Sequence, residues 1–239
     1  MITNCGLVEK IIQSSLIGVV EVFVSHPIEY IKTQYQSTNS LSKLHYDSRI
    51  FVNSMYPRLA TIIPMRTLFW SSVYWHKQNK SSVMFCSSTT SFIQTIIDFP
   101  SDQIKSRQIC MPKTQTIAGT VNMLNYMRGN YIFHGYFTHN CRNFIFLYNY
   151  YLFKNKKDDF IHNAFGSLCG VFLSHPFDTI KTLYHCENDE MLKKYIYKPN
   201  IRDYNVLKTT KFLMNGVLMR ASNTTMAMVL GWFMMNYVF

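Results

Sequence analysis

The chain has 239 residues, of which 48% are hydrophobic, 15% aromatic and only 15% charged, room for one large domain or two ordinary ones. The charge content is well below the usual quarter and suits a protein with much of its surface out of water. The net charge of +11 comes from basic residues scattered without an arm or patch, so no nucleic-acid partner is expected.

Six apolar, roughly helical segments follow one another: 7–35, 57–77, 83–108, 137–154, 161–184 and 212–238. Each is long enough to cross a hydrocarbon layer of about 30 Å, which takes about 20 residues. No run of eighteen residues is uniformly apolar, and the mean hydropathy is −0.04. Helices with one face on lipid and the other on a watery cavity would account for both facts. The first, third and fifth segments carry one motif, Pro-x-acid-x-x-Lys: Pro27 to Lys32, Pro100 to Lys105, and Pro176 to Lys181. The prolines are 73 and 76 residues apart, which divides the chain into three repeats at 1–80, 81–158 and 159–239. A mid-helix proline removes a backbone donor and crowds the preceding turn, so a bend is expected at Pro27, Pro100 and Pro176. Pairs of small residues four apart (Ser14 and Gly18, Ser87 and Ser91, Gly166 and Gly170) suit close helix approach. Polar stretches at 37–56, 109–134 and 185–211, each with room for a short helix, separate the two spans of each repeat.

In a helix the motif's acid and lysine, three residues apart, share a face. Three such helices around an axis would bring Glu29, Asp102 and Asp178 to the same depth as Lys32, Lys105 and Lys181. Pairing from repeat to repeat is then expected: Glu29 with Lys105, Asp102 with Lys181, Asp178 with Lys32. Buried ion pairs are close to neutral in net energy, so such a ring can close a cavity and still open. Gln36, one turn past Lys32, is placed to hydrogen-bond to a pair from beneath. Cys5, Cys86, Cys110, Cys141, Cys169 and Cys186 show no Cys-x-x-Cys spacing and read as small core residues rather than a disulfide or zinc framework. His26 and His175, just before two of the prolines, read as structural. The opening Met1 to Gly6 lacks the pattern of a secretory signal.

The three motif copies, two spans per copy and the near-equal spacing resemble the mitochondrial carrier family over nearly the whole chain. That resemblance implies an all-α membrane protein with six tilted transmembrane helices in three pseudo-threefold repeats and short matrix-side helices. It also implies both termini on the cytosolic side, no cleaved presequence, and alternating access to one central site, usually as an exchanger. The expected setting is the mitochondrial inner membrane, as a monomer among its lipids, cardiolipin included. In relatives the position of Gln36 braces the matrix-side ring. A second family signature, aromatic-basic-Gly, survives as Phe133-His134-Gly135, as Gly216 alone, and with Ser54 in place of the glycine. Counting from these residues gives the expected substrate contacts: Thr61, Arg142 and Asn223, then Arg58, His139 and Arg220 one turn nearer the matrix. Arg66 and Asn143 complete the set.

Arginine within a span marks a functional position unless it reaches the headgroups, and guanidinium forks suit phosphate or carboxylate oxygens. Glu21 is the acid placed to moderate that charge, and Trp70, Tyr136 and Tyr148 are candidates to stack on a base. The family's cytosolic ring is degenerate here: its acid positions are Tyr74, Asn155 and Asn236, with Lys77 as the one basic residue kept. A resting state open to the cytosol is therefore expected. The composition, rich in Ile, Asn, Lys and Tyr, points to an AT-rich genome and is similar to that of a carrier from a large DNA virus. The reading is a nucleotide or deoxynucleotide exchanger, with no enzymatic activity, cofactor or metal. A di- or tricarboxylate or keto-acid carrier, favoured by the Arg142-Asn143 pair, and a non-transporting membrane scaffold stand as alternatives.

Overall fold

The structure, a computed structural model, describes residues 4–40, 47–79, 81–110, 130–156, 160–186, 189–193, 196 and 206–237. Every element among these is helical: α1 (Asn4–Thr38), α2 (Ser48–Asn79), α3 (Val83–Cys110), α4 (Asn130–Lys156), α5 (Phe160–His185), α6 (Asp189–Leu192), α7 (Val206–Leu213) and α8 (Val217–Tyr237). The six long helices form a closed ring in which α1 packs on α2, α2 on α3, α3 on α4, α4 on α5, α5 on α8 and α8 back on α1. The three proline-bearing helices α1, α3 and α5 also touch one another. Pro27, Pro100 and Pro176 each lie inside an unbroken helix.

Helix ends differ from the sequence expectation for local chemical reasons. α2 begins nine residues earlier than its apolar run, because Asp47 caps it: the Arg49 amide donates to Asp47 Oδ1 at 2.8 Å. Ser82 Oγ likewise accepts from the Phe85 amide at the start of α3. α1 stops before Asn39, whose φ of 53° is the left-handed conformation that ends helices. The expected last span is interrupted. α7 stops at Leu213, a turn follows at Met214 to Gly216, and Gly216 takes φ 82° before α8 starts. A side chain there would be strained and would also crowd Lys32, its Cβ lying 3.2 Å from the Lys32 Cγ. Of the expected short helices, 185–211 supplies α6 and part of α7, the end of 37–56 joins α2, and most of 109–134 lies outside the described residues.

Small residues sit where helices touch. A Cβ on Gly18 would meet Ile62 at 2.7 Å, and one on Gly170 would meet the Phe146 carbonyl at 3.0 Å. Ser87 and Ser91 are buried on α3. His26 Nε2 lies 2.9 Å from the Phe51 carbonyl and His175 Nε2 2.9 Å from the Asn215 carbonyl, so each ties its proline-bearing helix to the second half of its own repeat.

The polarity is inverted relative to a water-soluble bundle. Among the described residues more polar than apolar side chains are buried, including Gln36, Asp102, Asp178 and Lys181. Large apolar side chains instead line the outside. On α1 they form a stripe at Val8, Ile12, Leu16, Val20, Phe23 and Val24, spaced for one helix face. Ile11–Thr38 is the one described helical stretch long and apolar enough to cross a membrane by its own composition.

The cysteine expectation needs correction. Cys110 and Cys186 form a disulfide with a Cα–Cα distance of 5.7 Å, bringing the end of α3 to the residue after α5. Their separation of 76 in sequence concealed the pairing, which the ring of helices creates. Cys86 is buried in the core, as expected of a small apolar residue.

Candidate functional site: a charged cavity inside the helix ring

A cavity of about 830 Å³ lies inside the ring, walled by all six long helices. Its size is in the range of small-molecule sites. The floor is formed where the three proline motifs meet. Lys32 Nζ donates to Asp178 Oδ2 at 2.7 Å, Lys105 lies 3.4 Å from Glu29 Oε2, and Lys181 donates to Asp102 Oδ2. These are the three repeat-to-repeat pairs that the spacing predicts. Within motifs, Lys105 also reaches Asp102 at 2.8 Å and Lys181 reaches Asp178 at 3.6 Å, so the pairs are linked into one network.

Gln36 does not touch a pair, contrary to expectation. Its amide donates to Thr179 Oγ1 at 3.1 Å and to the Asn215 carbonyl at 3.4 Å, and it accepts from Thr182 Oγ1 at 3.0 Å. Thr179 and Thr182 flank Lys181 on α5, so Gln36 holds that helix rather than the charges.

Two arginines of the even helices, Arg58 and Arg142, join the same network. Arg58 is paired with Glu29 and Arg66 with Glu21. Arg142 donates to Asn143 Oδ1 at 2.7 Å, and lies 3.3 Å from Asp178 and 3.5 Å from Asp98. Among the described residues Arg220 is the cavity guanidinium without a carboxylate partner. It donates to Ser174 Oγ at 2.9 Å, and its Nη1 has no hydrogen-bond partner. Asn223, one turn on, donates to Glu29 at 3.4 Å and leaves Oδ1 unpartnered. Thr61 faces Ser101 at 3.4 Å, and Asn143 donates to Thr95 at 3.0 Å.

Of the eight expected contacts, seven line the cavity: Arg58, Thr61, Arg66, Arg142, Asn143, Arg220 and Asn223. His139 does not. It is fully buried behind Arg142, which sits 2.8 Å from its Nε2, and its ring packs toward Phe99 and His185. It positions an arginine rather than meeting a ligand. Of the three aromatic candidates only Trp70 lines the cavity. Tyr136 packs on Phe92 and Phe99, and Tyr148 on Phe144. Phe69, Tyr74 and Tyr150 are there instead. Asp98, two residues before Pro100 on the face of Asp102, was also missed, although its spacing of four from Asp102 was a readable signal. Side chains of Lys77, His134, Asn155 and Asn236 lie outside the described residues.

Asp98, Asp102 and His139 hold ligand-type atoms within 4.8 Å of one another. Arg142, Lys105 and Lys181 already contact those carboxylates. The protein's own cations therefore take the place a metal ion would need. No protein-family model matches the chain, and no curated protein matches it.

Proposed function

We propose that this protein is a multi-pass membrane transporter of the mitochondrial carrier type. In this reading it exchanges anionic metabolites, nucleotides or deoxynucleotides first, across the mitochondrial inner membrane by alternating access. The observation that carries the proposal is a cavity walled by six helices and floored by three reciprocal ion pairs between repeats, inside an apolar exterior. An apolar outside and a charged inside suit a bilayer, where polar groups must face each other or a wet cavity. The six long helices would be the spans; among the described residues α1 is the one long and apolar enough to cross a membrane by its own composition.

Anion capture follows from the pairing pattern. Arg220, which lines the cavity with no carboxylate partner among the described residues, is the first anchor for phosphate oxygens. Arg58 and Arg142 are held by Glu29 and by Asp98 and Asp178, so an incoming polyanion competes with protein carboxylates for them. When it wins, each of the three floor acids loses one of its cations, Glu29 losing Arg58 and both Asp102 and Asp178 losing Arg142, and the floor becomes easier to part. Length favours nucleotides over small carboxylates. Trp70 lies twelve residues beyond Arg58 on α2, about 18 Å along the helix. An extended nucleotide can place phosphates at Arg58 and Arg220 and its base at Trp70 and Phe69, whereas a short dicarboxylate spans only the arginine level.

The test is counter-exchange in liposomes holding the purified full chain and loaded with nucleoside triphosphates or with dicarboxylates. Uptake of labelled nucleotide against internal nucleotide is the expected result. Exchange of dicarboxylate alone would move the assignment to a carboxylate carrier, and no flux of any loaded anion would leave the scaffold reading. Arg220→Ala should weaken nucleotide binding by about 10- to 100-fold, the size of one lost charge-assisted contact, while the melting temperature in detergent stays near wild type.

A further inference from the structure

We propose that Cys110 and Cys186 form a thiol-exchange site that locks the floor of the cavity shut while oxidised, an inference that rests on the alternating-access reading above. The two cysteines occupy the same place in their repeats, each ten residues past its proline and five past its motif lysine. The disulfide therefore joins symmetry-related points of α3 and α5, below the Lys181–Asp102 pair that bridges the same two helices. The matching position in the first repeat is Ser37, which cannot be cross-linked and instead donates to the Gln34 carbonyl at 2.9 Å. One edge of the three-helix floor is covalent, and the edges to α1 are not.

Two further contacts seal that edge. Arg107 Nε donates to the His185 carbonyl at 3.3 Å, and Cys186 Sγ lies 3.7 Å from the Ser106 carbonyl. The Lys181–Asp102 ion pair and the Arg107–His185 hydrogen bond break on the timescale of conformational opening, about microseconds to seconds, whereas uncatalysed disulfide rearrangement takes minutes to hours. A disulfide also confines the two Cα atoms to about 6.8 Å, and here they already stand 5.7 Å apart. α3 and α5 cannot separate at this end until the bond is cut.

The reagent class is a low-molecular-weight thiol and its disulfide. A thiolate attacks Sγ of Cys110, the partly exposed partner. The S–S bond breaks, and Cys186 leaves with the electron pair and takes up a proton. A second thiol then displaces Cys110 from the mixed disulfide, and Cys110 is protonated in turn. Two small thiols become one small disulfide, and two electrons and two protons pass to the protein. A small disulfide reverses the sequence.

The test uses full-length protein in nucleotide-loaded liposomes, oxidised with glutathione disulfide or reduced with dithiothreitol, with peptide mapping of the Cys110–Cys186 link in each sample. Reduction should raise counter-exchange about tenfold or more, as expected when opening limits turnover. Cys110→Ser with Cys186→Ser should run at the reduced rate and ignore both reagents. Equal rates from a verified disulfide and a verified dithiol form would overturn the lock and leave the transporter reading standing. Unlinked cysteines after oxidation would overturn the lock as well. No flux from the oxidised, reduced or double-serine protein would overturn transport and the lock together.

Discussion

At the floor of the cavity Glu29, Asp102 and Asp178 interlock with three lysines, Arg58 and Arg142, so the proline motifs meet one another through ion pairs. At the opposite end α2, α3 and α4 meet through rings and apolar side chains. Phe69 stacks parallel to Tyr151 at 6.4 Å, Tyr150 packs on Phe69 at 5.5 Å, and Cys86 and Leu147 complete the cluster. The polar contacts there are neutral, among them Tyr151 Oη with Ser72 Oγ at 2.7 Å and Cys86 Sγ with the Ser72 carbonyl at 3.8 Å. The two ends should fail differently. A buried ion network holds only while every member has a partner, because one missing charge leaves another desolvated and alone. Aromatic packing loses strength by small steps with each contact removed.

Three tests sharpen that contrast. Asp178→Asn strips the shared partner of Lys32, Arg142 and Lys181, and should cost about 3–5 kcal/mol of stability, read as the largest fall in melting temperature in detergent. Next comes charge reversal at one floor pair. Glu29→Lys and Lys105→Glu should each destabilise, and together recover a coupling of about 0.5–3 kcal/mol in a double-mutant cycle. Recovery will be partial, because Arg58 would then face a lysine and Asp102 a glutamate. A double variant no better than either single one would show that the pair does not act as a unit. The smallest effect belongs to the other end. Tyr151→Phe keeps the ring stack and removes only neutral hydrogen bonds of the hydroxyl, the one to Ser72 worth about 0.5–1.5 kcal/mol. If it matched Asp178→Asn in melting temperature, the distinction between the two ends would be lost.

The repeated Pro-x-acid-x-x-Lys motif determined, without any coordinates, that three charge pairs would meet at one depth, because acid and lysine three apart on a helix must share a face. The six long helices and their order were legible from the apolar runs, while helix starts were not, since Asp47 and Gly216 act through local backbone geometry that hydropathy ignores. Burial direction came only from the tertiary structure. His139 shares Arg142's helix and nearly its face, yet the neighbouring α3 and α5 enclose it and leave Arg142 in the cavity. The same applies to Tyr136 and Tyr148, which look like Trp70 in sequence but turn to other rings. Arg220's lack of a carboxylate and the Cys110–Cys186 bond likewise depend on which helices become neighbours. Periodicity places a residue on a face of its own helix, and only the closed ring decides what that face meets.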